Sequence, residues 1–194
     1  MFDQAAKELI VFKGNKLKKG NIMTTILEEK KVDTSYKAPA KTQIGHVHLK
    51  VSDLERSLSF YKDLLGFEVT TKYGDQAVFL SAGGYHHHIG LNTWHSKDAP
   101  PAPKHGNGLY HAAILYPERK DLAIILQRLN DAKYPVNGAS DHGVSEAIYL
   151  RDPDNNGIEL YWDKPIDAWP KDENGELDMH TKPLNIQSLM SVLN

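Results

Sequence analysis

The strongest constraint in this chain is an order of elements that occurs twice. In IGHVHLKV, from Ile44 to Val51, apolar Val47, Leu49 and Val51 alternate with His46, His48 and Lys50. That is the period of a strand with one buried face. SDLERSLSFYKDLLGF follows, with Ser52 or Asp53 placed to cap a helix, an apolar stripe at Leu54, Leu58, Tyr61 and Leu65, and Gly66 to stop it. Three strands are predicted next, at 67–73, 76–81 and 87–93, with YGD and AGG as the turns. After HSKDAPPAPKHGNG the order returns. LYHAAILY reads as a strand, PERKDLAIILQRLNDA as a helix, YPVNGASD as extended chain or loop, and EAIYLR and GIELYW as a hairpin around DPDNNG. His46 opens one unit and His111 the other, so the repeat is carried by element order more than by letters.

The expected fold is therefore α+β: two βαβββ modules forming a curved mixed sheet, helices outside, with His46, His111 and Glu159 projecting into its cup. Module one spans 44–94, a linker 95–107, and module two 108–163. Glu159 is the informative residue, because it stands among Ile158, Leu160, Tyr161 and Trp162. A carboxylate there is costly unless it is paired. Lys50, Arg151 and a metal ion are its candidate partners.

Composition narrows the chemistry. The 194 residues carry 23 basic and 25 acidic side chains. That balance gives no electrostatic footprint for nucleic acid and no polybasic membrane patch. No apolar run approaches a membrane span, so a cytoplasmic protein is expected. There is no cysteine, which leaves nitrogen and oxygen as the only metal donors. Histidine is abundant, ten in all, with three in succession from His86 to His88.

Residues 1–41 read as a flexible arm. Back-translation of KKGNIM resembles a ribosome-binding site before Met23, so 1–22 is either untranslated or a genuine extension. The last segment, 166–194, reads as a surface tail ending in a short helix at 185–193.

Between about 42 and 165 the chain resembles the vicinal oxygen chelate superfamily, which includes glyoxalase I, fosfomycin-resistance proteins and extradiol dioxygenases. GHVHLKVSDLERSLSFYKDLLGFEV is similar to its opening signature and RDPDNNGIELYW to its closing one. The resemblance, closest to one-domain catechol 2,3-dioxygenase-like proteins, implies metal ligands at His46, His111 and Glu159. His48 shares a strand face with His46 and is the alternative to it. Aligning HIGLNTW with GIELYWD puts Gly90 where module two has Glu159, a place where glyoxalase I is expected to carry a carboxylate. Two His and one carboxylate form the facial set typical of non-haem Fe(II); Mn(II) or another divalent cation is the alternative. The resemblance also implies catalytic roles for His87, His142 and Tyr149, which stands ten positions ahead of Glu159. Strict alternation from Gly90 favours His88 over His87, unless a strand start or bulge intervenes.

The implied function is ring cleavage of a catechol-type aromatic diol with O2. The alternatives are an isomerase, lyase or thiol transferase of the same fold, or a non-catalytic small-molecule-binding module. Relatives often have four modules. With two, a homo-oligomer, expected to be a dimer, must close the site.

Overall fold

The computed structural model describes residues 33–194 apart from 102, 104 and 106. The reading of Met23 lies outside the described residues. The chain divides into two compact units, Met1–Thr42 and Gln43–Asn194. In the first, Asp33 Oδ1 accepts hydrogen bonds from the Ser35 backbone N–H (2.9 Å) and hydroxyl (2.6 Å), forming a local turn.

The second unit holds both modules. Module one runs β1 (Val47–Lys50), α1 (Leu54–Leu58), β2 (Glu68–Tyr73), β3 (Ala77–Ser81) and β4 (Ile89–Asn92). Module two runs β5 (Ala112–Leu115), α2 (Arg119–Asp131), β6 (Val136–Asp141), β7 (Ser145–Arg151) and β8 (Gly157–Asp163). The α+β class and the repeated order hold, and each module builds its own mixed sheet. The orders are β1-β4-β3-β2 and β5-β8-β7-β6-β9, where β9 is Lys182–Pro183 of the tail. The first strand of each module pairs in parallel with its last, and the other module strands are antiparallel. YPVNGASD is strand β6, despite Pro135 before it and an irregularity between Val136 and Gly138.

Asp53 caps α1, its Oδ1 accepting from the Arg56 N–H at 2.9 Å. The helix then widens into a π-helical stretch, Ser59–Leu64. Adjacent Phe60 and Tyr61 are both buried there. Helix α2 opens with a capping box between Glu118 and Asp121, and buries Leu122, Ala123, Ile125, Leu126 and Leu129.

The modules share one core, to which Leu49, Val51, Tyr61, Leu80, Leu122, Leu129, Ile148 and Leu160 all belong. They are locked by the helices and by the DPDNNG turn. Tyr61 donates to Asp152 Oδ2 at 2.9 Å, Arg56 pairs with Asp154 at 2.6 Å, and Arg128 donates to the Leu64 and Asp63 carbonyls. Asp152 also accepts from the Asp154 and Asn156 backbones and the Asn156 amide. Burial raises its carboxyl above the usual range, against those hydrogen bonds. The helical sides of the two modules thus face each other. By strand alternation, the faces carrying His46 and Glu159 point away from the joint.

The tail returns to module two. Leu184 and Leu189 are buried, β9 adds to β6, and α3 (Ile186–Met190) packs on α2. Arg119 fastens it, gripping Glu146 with two hydrogen bonds (2.7 and 3.1 Å) and reaching the Ser188 carbonyl and hydroxyl at 3.2 Å each. No helix among the described residues is long and apolar enough to cross a membrane.

Candidate functional site

A glycine positions the centre of the site. Gly157 opens β8, and a Cβ there would lie 2.1 Å from the Tyr110 carbonyl oxygen and 3.1 Å from His111 Cα and Cβ. Only glycine permits the chain entering β5 to come so close. That approach delivers His111 to Glu159, with Nε2 and Oε2 2.8 Å apart. The other carboxylate oxygen, Oε1, is 3.1 Å from the Tyr149 hydroxyl, whose residue pairs with Glu159 across the hairpin. The same hydroxyl is 2.6 Å from His142 Nε2. His142 Nδ1 is 3.1 Å from the His180 carbonyl oxygen. So His111, Glu159, Tyr149 and His142 form one hydrogen-bonded line, and neither Lys50 nor Arg151 pairs with Glu159.

Proton positions follow from what each atom can do. A carbonyl only accepts, so His142 Nδ1 carries a proton. In the neutral ring Nε2 is then bare and faces the Tyr149 hydroxyl. Burial pushes the Tyr149 phenol up to about 12, helped by the adjacent Glu159 charge and their hydrogen bond. Tyr149 is therefore a protonated phenol at neutral pH, and its one proton can serve Glu159 or His142. No sequence signal points to the His180 contact, because a backbone oxygen provides it.

Module one gathers a second group. The His46 ring lies 4.4 Å from His87 and 6.4 Å from His86. Strand β4 begins at Ile89, so His87 precedes it and escapes the alternation that favours His88. His88 turns instead to Ser81 Oγ, 3.1 Å from its Nδ1. Burial lowers the His87 pKa, and the imidazoles of His46, His86, His48 and His88 lower it further. Gly90 pairs with His48, and a Cβ at Gly90 would sit 2.9 Å from the His48 ring. The space left by the missing carboxylate is thus filled by imidazole, which also packs near Phe79 and Trp94.

Within one chain the structure brings His111 and Glu159 together, and seats His46 with His86 and His87 in the other module. Among the described residues no three His, Asp or Glu side chains are gathered so as to hold a metal ion. The donor set at His111 and Glu159 nevertheless fits a divalent cation. Two donors each about 2.1 Å from one cation, at a right angle, stand about 3 Å apart, close to the 2.8 Å observed. His111 Nδ1 is buried without a hydrogen-bond partner.

Residues 43–160 match the model of the Glyoxalase/Bleomycin resistance protein/Dioxygenase superfamily. The chain belongs to this superfamily. It is 41% identical over 150 residues to a catechol-2,3-dioxygenase of Bacillus subtilis, covering 77% of this chain and 51% of that protein. It is 28% identical over 120 residues to metallothiol transferase FosB of Staphylococcus saprophyticus, covering 61% and 75%. It therefore spans about half the length of the dioxygenase it matches. The crystal structure of a lactoylglutathione lyase from Agrobacterium tumefaciens is similar with TM-score 0.50 and 26% identity, over 64% of this chain and 95% of that one. A glyoxalase/dioxygenase from Nostoc punctiforme shares the fold with TM-score 0.56 and 18% identity, over 69% and 100%.

Proposed function

We propose that this chain is a metal-dependent extradiol dioxygenase that opens a catechol-type diol with O2. The observation that carries the reading is the hydrogen-bonded line from His142 through Tyr149 to Glu159 and His111. It joins an acid–base pair to a ligand pair. A module that only sequesters a small molecule has no use for that connection. The 41% identity to a catechol-2,3-dioxygenase supports the same choice.

His111 and Glu159 supply two ligands for Fe(II), with Mn(II) as the alternative, and His46 supplies the third from a second copy of the chain. β1 and β5 are edge strands of their sheets, and exposed Ile44, Leu109, Tyr110 and Leu115 lie on or beside them. Unpaired edges flanked by apolar side chains favour strand-to-strand association. Pairing β1 of one copy with β5 of its partner sets the His46–His87 face opposite Glu159, and the two-fold symmetry makes two such sites.

The bound cation supplies Lewis acidity that lowers the pKa of the diol hydroxyls. The chain's side chains do the rest. Tyr149 orients the diol and, as it takes a proton from a diol hydroxyl, passes its own to His142 Nε2, while the His180 carbonyl holds the other imidazole proton on Nδ1. His87, with its lowered pKa, is a neutral imidazole at pH 7 and serves as acid–base from the opposite face.

The similarity to FosB and to a lactoylglutathione lyase sustains a second reading, a metal-dependent thiol transferase or isomerase that needs no oxygen. Iron analysis of the purified protein, followed by oxygen uptake with catechol and substituted catechols, separates the two. The dioxygenase consumes oxygen and yields a yellow ring-fission product. Iron-loaded protein that consumes none with any diol overturns the first reading.

A further inference from the structure

Beside His111 and Tyr149 lies a cleft of about 310 Å³, lined also by Tyr110, Asn137, Gly138 and Arg151. Its floor is made by two glycines. Gly138 pairs with Tyr149 across β6 and β7, and Gly157 pairs with Arg151 across β7 and β8. A Cβ at Gly138 would meet nothing within 4 Å, so the cleft is open above that position. Tyr149 and Arg151 stand two residues apart on β7 and share a face, about 7 Å from one another along the strand.

Arg151 differs from the other arginines. The chain has four: Arg56, Arg119, Arg128 and Arg151. Arg56 and Arg119 are bound to Asp154 and Glu146, and Arg128 to two backbone carbonyls. The Arg151 side chain makes one long hydrogen bond, 3.3 Å from Nη1 to the Asn155 carbonyl, and among the described residues no carboxylate pairs with it. Most of its planar fork of donors is unspent, at the rim of a cleft that begins at the candidate acid–base residue. A guanidinium fork matches a carboxylate in two parallel hydrogen bonds.

Resting on the dioxygenase reading, we propose that the substrate is an aromatic diol bearing a carboxylate. Arg151 binds that carboxylate while the hydroxyls lie at Tyr149. The separation along β7 is comparable to the length of a diol ring with a one-carbon acid arm. The Asn137 amide is a second polar group in the cleft. An uncharged ring of the same size leaves the Arg151 donors to solvent and gains nothing from them.

The test compares 3,4-dihydroxyphenylacetate with 4-methylcatechol as substrates of the iron-loaded protein, for the wild type and Arg151→Gln. It also measures binding of phenylacetate, which has no diol, to the metal-free protein through the NMR shifts of the Gly138 amide and the Arg151 Nε–H. Arg151 is exposed, so its replacement leaves folding intact. We expect KM for the carboxylated diol to rise about tenfold in Arg151→Gln, the usual effect of losing a charge-assisted pair, with 4-methylcatechol unaffected. The phenylacetate-induced shift of the Gly138 amide should disappear in the variant. Turnover of both diols without an Arg151-dependent preference overturns this proposal and leaves the dioxygenase reading standing. No turnover of any diol, with Arg151-dependent phenylacetate binding retained, overturns the dioxygenase reading and keeps the carboxylate site. Loss of both overturns both.

Discussion

Replacing Gly157 with alanine tests the geometry on which the candidate site depends. The added methyl would stand 2.1 Å from the Tyr110 carbonyl oxygen, and that oxygen belongs to backbone. Ordinary contact needs more than 3 Å, so the two strands must part by roughly 1 Å. Strand β8 is held by β7 along its whole length, from Gly157 to Asp163. Strand β5 is an edge strand paired only with β8, so β5 yields. His111 moves with it, and the 2.8 Å separation from Glu159 opens to roughly 4 Å.

Overpacking of this kind costs about 1–3 kcal/mol. A displaced ligand lowers metal affinity by roughly 10–100-fold, as loss of an orienting contact does. Urea unfolding measures the first effect, and anaerobic titration with Fe(II) or with Mn(II) the second. Gly138→Ala is the control. Its methyl enters open space, so stability should stay within about 0.5 kcal/mol of the wild type. Gly157→Ala protein with an unchanged urea midpoint and metal affinity within twofold of the wild type refutes the argument that this glycine sets the His111–Glu159 distance.

Three further perturbations follow from the joint and the tail. Tyr61→Phe removes a buried hydrogen bond to Asp152 and should cost about 2 kcal/mol in urea unfolding. Burial already holds the Asp152 carboxyl above its ordinary range, so its stabilising contribution falls as pH rises from that range through its folded pKa. The variant should therefore lose more at pH 7.5 than at pH 4, and an equal loss at both argues against a charged Asp152. Arg119→Met strands the buried Glu146 and should destabilise by about 3–5 kcal/mol, most of it recovered when Glu146 is also made Leu. Burial opposes the charge on Asp141, but hydrogen bonds from Lys164 and the Gly143 N–H prevail and hold its carboxyl below the usual range. That contribution is present above the unfolded pKa and lost as pH falls through the folded one, so Lys164→Met should flatten the acid limb of a stability-against-pH curve.

What the sequence disclosed and what it withheld divide along physical lines. Alternation in IGHVHLKV and the Leu54, Leu58, Tyr61 stripe are local patterns, and β1 and α1 stand where they point. YPVNGASD stayed between strand and loop because Pro135 and Gly138 weaken the strand pattern, and neighbours on both sides, β7 and β9, supply the pairing. The sequence marks DPDNNG as a hairpin turn and gives its carboxylates no task. In three dimensions Asp152 and Asp154 clamp the modules through Tyr61 and Arg56, because a turn rich in unpaired backbone donors needs acceptors of its own. Gly90 reads as a vacancy, yet its register partner His48 covers it, since a parallel neighbour's ring can lie over a residue with no side chain. The same limit governs the candidate ligands. A period of two says on which side of a strand His46, His111 and Glu159 emerge. It is silent on which sheet stands opposite that side. Here the helices and the DPDNNG turn join the modules, so the core consumes the apolar faces and leaves the histidine-bearing ones turned outward. A site built from both faces then requires a surface from outside the chain, and residue spacing within a single chain contains no information about that surface.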